Sequence, residues 1–179
     1  EDERRIGNAV RGAGRVMVIE ADESDGTCLH YRPTLGVITG LARDHKEPAE
    51  LMDLYQKFAE RVEDTAIVNA DDADLAGLTL RRKLTYGFQP AADLRGEDVT
   101  CGPDGCTFRV GRTQYRLPGL GRHNVHNALA ALAVCRLLGV DQALVARGLS
   151  AFRGVRRRLE LAGAAAGVRV YDDYAHNPS

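Results

Sequence analysis

The sequence has no tryptophan, only two methionines and no long apolar run, and its charges nearly cancel. A membrane-crossing helix needs about 20 consecutive apolar residues, and no stretch approaches that, so no membrane partner is expected. The formal net charge is -1. Without a basic excess there is no electrostatic footprint for a nucleic acid, and no acidic tail is present either. The first residues, Glu1-Asp2-Glu3-Arg4-Arg5, are charged with no apolar region behind them, so no signal peptide is read there. The four cysteines lack paired C-x-x-C spacing. Cys28 and Cys135 stand in apolar stretches and read as small core residues. Cys101 and Cys106 can face each other across a short turn, but no His stands close by. Reduced structural thiols are therefore favoured over a zinc site or a disulfide, and a cytoplasmic location is expected.

What remains is an ordinary globular composition, 44% hydrophobic and 27% charged over 179 residues. That length suits one domain with a full core, or one domain and the start of another. Short β-branched runs at Arg15 to Glu20, Leu35 to Thr39, Ala66 to Val68 and Leu84 to Phe88 read as buried parallel strands. Leu51, Leu54, Tyr55, Phe58 and Val62 have helical spacing, with Pro48 suited to the first turn. Asp71-Asp72 starts a short helix. Val99 to Leu117 alternates around two Gly-bearing turns and reads as an antiparallel meander. An apolar helix runs from Asn124 to Leu138 and stops at Gly139. Asp141 caps another through Leu149, and Leu159 to Leu161 and Val168 to Tyr171 are strands. The fold class is α/β, a mostly parallel sheet flanked by helices with a small antiparallel sheet.

In such sheets ligands gather at the carboxyl ends of strands, and the polar clusters are expected there. Glu20-Ala21-Asp22-Glu23-Ser24-Asp25 packs four carboxylates into one loop. They repel unless a cation or hydrogen-bond donors sit nearby, and hard oxygens suit Mg²⁺ beside a phosphate. Taken alone, a solvated acidic loop is the better reading. Asp44-His45 follows the second expected strand and could aim at the same point as Glu20. Gly121-Arg122-His123-Asn124-Val125-His126-Asn127 opens the apolar helix. Helix capping explains Asn124 but not Asn127, and a pair of amides offers the donor and acceptor that a purine edge requires. Arg156-Arg157-Arg158 can meet phosphate oxygens or be a solvated basic loop. Asp172-Asp173-Tyr174-Ala175-His176-Asn177-Pro178 is an acidic, His-bearing loop.

The order of these motifs carries more than any one of them. E-A-D-E-S-D, D-H, G-R-H-N-V-H-N-A-L-A-A-L, G-V-R-R-R-L-E and D-D-Y-A-H-N-P resemble the Mur ligase family in sequence and order, from about Arg15 onward. E-A-D-E-S-D and D-D-Y-A-H resemble the branch that joins L-alanine to UDP-N-acetylmuramate. The resemblance implies a P-loop-like ATPase domain of a peptidoglycan-precursor ligase. ATP phosphorylates a carboxylate, an amine attacks the acyl phosphate, and both substrates are small molecules. It implies Glu20 and His45 as Mg²⁺ ligands, Asn124 and Asn127 as adenine contacts with His123 beside them, Arg158 at the ATP phosphates, and Asp173 near the ribose. Glu20, His45 and Arg158 then form the catalytic set. Residues 1–158 would be the central domain without its phosphate loop, and residues 159–179 the start of the C-terminal domain.

The chain departs from the family pattern in three places. No G-x-x-G-K-[ST] string occurs, and it is expected upstream of Glu1 in a longer protein. Lys46 follows His45, and Asn177 stands where the family carries a second His. A murein-tripeptide-recycling ligase, a cyanophycin-synthetase-like ligase and a non-catalytic nucleotide-binding module remain alternatives.

Overall fold

The computed structural model describes residues 5–6, 9–41, 47–118 and 121–174. A short antiparallel pair comes first, β1 (Arg5–Ile6) with β2 (Ala9–Val10). The main sheet comprises β3 (Leu35–Ile38), β4 (Thr65–Asn69), β5 (Lys83–Gly87) and β6 (Leu94–Arg95), hydrogen-bonded in that order and all parallel. Successive side chains of a strand point to opposite faces, and β4 uses both. Ile67 enters one core, while Ala66 and Val68 enter another. A strand buried on both faces is what its uninterrupted T-A-I-V run requires.

Helix α1 (Pro48–Glu60) crosses from β3 to β4 and covers one face. Pro48 occupies its first turn, where a missing N–H costs nothing. Leu51, Phe58 and Ala59 are buried, while Asp53 and Lys57 pair across one turn in solvent at 2.6 Å. The end of this crossover lies directly on β3. A Cβ on Gly36 would run into Val62 and the Phe58 ring. After β4, Asp72 caps a 3-10 turn, Ala73–Gly77, by accepting from the Asp74 N–H.

The meander is β7 (Glu97–Gly102), β8 (Gly105–Val110) and β9 (Thr113–Leu117). Its inner face, Cys106, Phe108, Tyr115 and Leu117, joins Ile67, Tyr86 and Leu94 in the core on the second face of the sheet. Helix α2 (Arg122–Leu137) closes that core with Val125, Ala128, Leu129, Leu132 and Ala133. Helix α3 (Gln142–Ala151) begins at Asp141, whose carboxylate accepts from the Ala143 and Leu144 N–H groups. The antiparallel hairpin β10 (Glu160–Ala165) and β11 (Val168–Asp172) follows, exposed along its whole length. No described helix is long and apolar enough to cross a membrane.

Two expectations are corrected. Arg15 to Glu20 forms no strand, and Val16, Met17, Val18 and Ile19 are exposed, Val18 at 88%. A buried parallel strand needs a neighbouring ladder and two covered faces, and no described residue pairs with this run. Cys101 and Cys106 are joined in a disulfide rather than reduced. They are directly opposed partners on β7 and β8, with Cα atoms 4.1 Å apart, so strand register alone brings the sulfurs together.

Overpacking at the α1–β3 contact should show in stability. Gly36→Ala is expected to lower it by about 1–3 kcal/mol. Gly148→Ala, inside α3 with open space around its Cα, is expected to leave it unchanged or slightly raised. Urea midpoints of the two variants check this.

Candidate functional site

The start of α2 faces a cavity of about 890 Å³. Gly121 precedes the helix at φ 86, and a Cβ there would meet the His123 ring at 2.6 Å, so only glycine fits. Because α2 begins at Arg122, Asn124 lies within the helix and is not its cap. Asn124 and Asn127 then share a face, and both line the cavity together with His123. Arg158 and Glu20 line it from elsewhere in the chain. The β7–β8 turn contributes Pro103 and Asp104, α3 contributes Leu149, and the hairpin contributes Arg169 and Tyr171. Five of the residues singled out from sequence therefore converge on one cleft. Asp173 is not on its wall; Arg169 and Tyr171 face the cleft from the hairpin instead. His45 lies outside the described residues, as do Asp44, His176 and Asn177.

The acidic loop divides its labour. Asp22 accepts from the N–H and Oγ–H of Ser24, and Asp25 accepts from the Thr27 N–H. These two carboxylates shape the turn into the 3-10 segment Thr27–His30. Glu23 borders a separate small cavity of about 100 Å³ beside Tyr55. Burial, with the charges of Glu23, Cys28 and Asp72 behind it, pushes the Tyr55 hydroxyl up to about 12. Glu20 is thus the one acid of this loop on the large cleft. No three His, Cys, Asp or Glu side chains among the described residues gather as a metal cage.

The arginine run is also resolved. Arg157 stacks its guanidinium over Tyr174 at 4.6 Å, and its backbone N–H donates to Glu160. Its neighbour Arg158 faces the cleft.

Sequence reasoning missed the end of β4. There Asn69 Nδ2 donates to the Thr39 carbonyl at 3.0 Å, and Asp72 accepts from the Leu41 N–H at 2.8 Å. Between them Asp71 accepts from the Phe88 N–H at 2.7 Å and the Gln89 N–H at 2.9 Å. His126 Nε2 lies 2.7 Å from the same carboxylate, and its ring stacks on Phe88 with centroids 4.3 Å apart. Arg122 sits over the Phe88 ring at 4.1 Å. Burial alone would raise the Asp71 carboxyl. The hydrogen bonds from Phe88, His126 and Gln89 outweigh it and hold the carboxyl below the usual range. The only signal in the sequence is the string Asn69-Ala70-Asp71-Asp72, which reads as a helix start.

Comparison with known proteins places the fold and the family. The architecture is one found in peptide ligases. A crystal structure of UDP-N-acetylmuramate-alanine ligase from Thermotoga maritima superposes with a TM-score of 0.72 and 26% identity, covering 84% of this chain and 36% of that one. A pseudomurein peptide ligase type C from Methanothermus fervidus shares the fold with a TM-score of 0.72 and 22% identity, covering 84% of this chain and 40% of that chain. The Mur ligase middle domain matches residues 4–135, and the chain belongs to the Mur ligase family. It is 39% identical to UDP-N-acetylmuramate--L-alanine ligase of Phenylobacterium zucineum, over 96% of this chain and 40% of that protein. It is 40% identical to the enzyme of the same name from Thermobifida fusca, over 94% and 39%. The chain thus spans about 40% of the length of the curated relatives it matches.

A carboxyl with a lowered folded pKa contributes stability that is fully present above its unfolded value and lost as pH falls through the folded one. Asp71→Asn is therefore expected to destabilise the protein by about 1–3 kcal/mol at pH 7. The gap between variant and parent should begin to narrow near about pH 4, where the unfolded carboxyl protonates, and close only at lower pH, once the folded carboxyl of the parent is protonated as well. Urea unfolding of both proteins at pH 7 and in acid measures it.

Proposed function

We propose that the chain is the ATP-binding central part of a cytoplasmic ligase that joins L-alanine to UDP-N-acetylmuramate, with residues 1–158 as the central domain and residues 159–179 opening the next. One observation carries this reading: His123, Asn124, Asn127, Arg158 and Glu20 meet on a single cavity of about 890 Å³. That volume lies in the range that encloses a nucleotide-sized ligand. The amides of Asn124 and Asn127 offer donor and acceptor to an adenine edge, with the His123 ring beside them. Arg158 presents a fork to phosphate oxygens. Glu20 brings one hard oxygen, which suffices for Mg²⁺ only in company with phosphates and waters. His45 is proposed as its partner ligand on the family pattern. The ribose role proposed for Asp173 finds no support in the arrangement of the hairpin.

When bound, ATP supplies the phosphoryl group that activates a carboxylate toward an amine. The residues described here hold and orient. Phosphoryl transfer asks mainly for placement and charge neutralisation, and an amide pair and an arginine on the wall of one cleft supply both. The family's phosphate loop is not in this sequence, and its backbone amides and Lys are strong phosphate ligands.

This chain by itself is therefore expected to bind Mg-ATP weakly and to ligate nothing. Each charge-assisted phosphate contact that is missing costs about 1.5–3 kcal/mol, so several together remove several powers of ten in affinity. Calorimetric titration with Mg-ATP should give a dissociation constant well above the micromolar range, weakened further by Asn127→Ala. A coupled phosphate-release assay with UDP-N-acetylmuramate and L-alanine should stay flat. Micromolar binding or steady turnover contradicts the reading, and so does an Asn127→Ala variant that binds as well as the parent.

A further inference from the structure

Helix α2 starts without a side-chain cap. Gly121 precedes it and has no side-chain acceptor, so apart from the Gly121 carbonyl, which accepts from the Asn124 N–H at 3.1 Å, the first turn does without the usual cap. Yet Asn124 and Asn127, on which the cleft depends, stand in the first two turns. Another grip on these turns comes from their far side. Arg122 and His126 are one helical turn apart and share a face, and both engage one ring, Phe88. His126 also reaches Asp71, whose carboxylate is locked by the Phe88 and Gln89 N–H groups. Neither His126 nor Asp71 lines the large cleft. The anchoring pair 122/126 and the cleft set 123/124/127 are thus two faces of the same turns.

We propose that His126 is a positioning residue of the nucleotide cleft: held by Asp71 and stacked on Phe88, it sets the angle at which Asn124 and Asn127 present their amides. The proposal rests on the nucleotide reading of the cleft for its consequence, though not for its geometry. The Asp71 side chain is 16% exposed and His126 28%, so the pair sits partly out of water, where a charge-assisted hydrogen bond is stronger than at the surface. Asp71 is immobilised by the two N–H groups that follow β5, and the imidazole adds a ring stack that no aliphatic side chain can reproduce in full. The helix start is thereby referenced to the sheet rather than to solvent. A helix turn that rocks moves Asn127 with it, and displacements near 1 Å at a binding group lower its effectiveness by up to about a hundredfold.

The test uses the chain labelled with ¹⁵N, its His126→Ala and His126→Gln variants, and titration with Mg-ATP followed by NMR. Thermal melting is recorded alongside. His126→Ala is expected to keep a dispersed spectrum, to move the side-chain NH₂ resonances of Asn124 and Asn127 in the free protein, and to weaken ATP about tenfold. His126→Gln retains a donor toward Asp71 but loses the stack, and should recover most of that loss. If His126→Ala fails to fold, His126→Gln alone decides: intermediate resonance positions and weakening support the proposal. A variant that melts lower yet shows parental Asn resonances and parental ATP affinity overturns it, because His126 is then merely structural. Absence of any ATP-induced shift at Asn124 and Asn127 in the parent chain defeats the nucleotide reading instead. In that case the free-protein resonances still judge the positioning role, and unmoved resonances defeat it.

Discussion

The polar residues that close β4 hold the carboxyl edge of the sheet together. A parallel sheet leaves each strand to run out into a separate loop, and nothing in the ladder itself fixes those loops relative to one another. Here Asn69 and Asp72 tie the loop after β3, and Asp71 ties both the turn after β5 and the start of α2. Three short side chains from one strand end thus do what no backbone hydrogen bond could. Lowering the Asp71 carboxyl is the electrostatic trace of that role, since three donors favour its charged form against the penalty of burial.

Helix α2 transmits this order to the cleft. Its apolar face is part of the core, with Val125 and Leu129 fully buried. A second face grips Phe88 and Asp71, and a third carries the cleft residues. A helix packed on one face alone could still roll about its axis. One held on two faces cannot, and the third is then defined by elimination.

Much of the architecture was legible because local and tertiary preferences agree. Pro48 at the start of α1 and the Asp141 carboxylate at the start of α3 stand where capping chemistry requires them, and the alternation of T-F-R-V and Q-Y-R-L matches β8 and β9. The convergence of the Asn124/Asn127 pair with Arg158 and Glu20 was readable only from motif order, because the helix start, the arginine run and the acidic loop are three separate local settings. The failures have distinct causes. Val16 to Ile19 has strand-forming residues, but strand formation depends on a partner that composition does not report. The Cys101–Cys106 bond follows from a register that sequence spacing leaves undetermined. Asp71 and His126 were missed because a carboxylate and an imidazole far apart in the chain carry no shared periodicity, and the contact exists only once β4 and α2 are packed.

The two walls of the cleft are unequally built. Helix α2 contributes six buried residues to the protein, whereas α3 contributes none and the hairpin that carries Arg169 and Tyr171 is exposed throughout. Local opening free energies follow buried contacts, so amide protons on the α3 and hairpin side exchange through small, frequent openings, and those on the buried face of α2 exchange only when the core itself comes apart. A ligand spanning the cleft meets one partner already set and one it must order on arrival. Part of its interaction energy is spent in quieting the looser wall, so that wall lowers affinity while the firm one sets orientation.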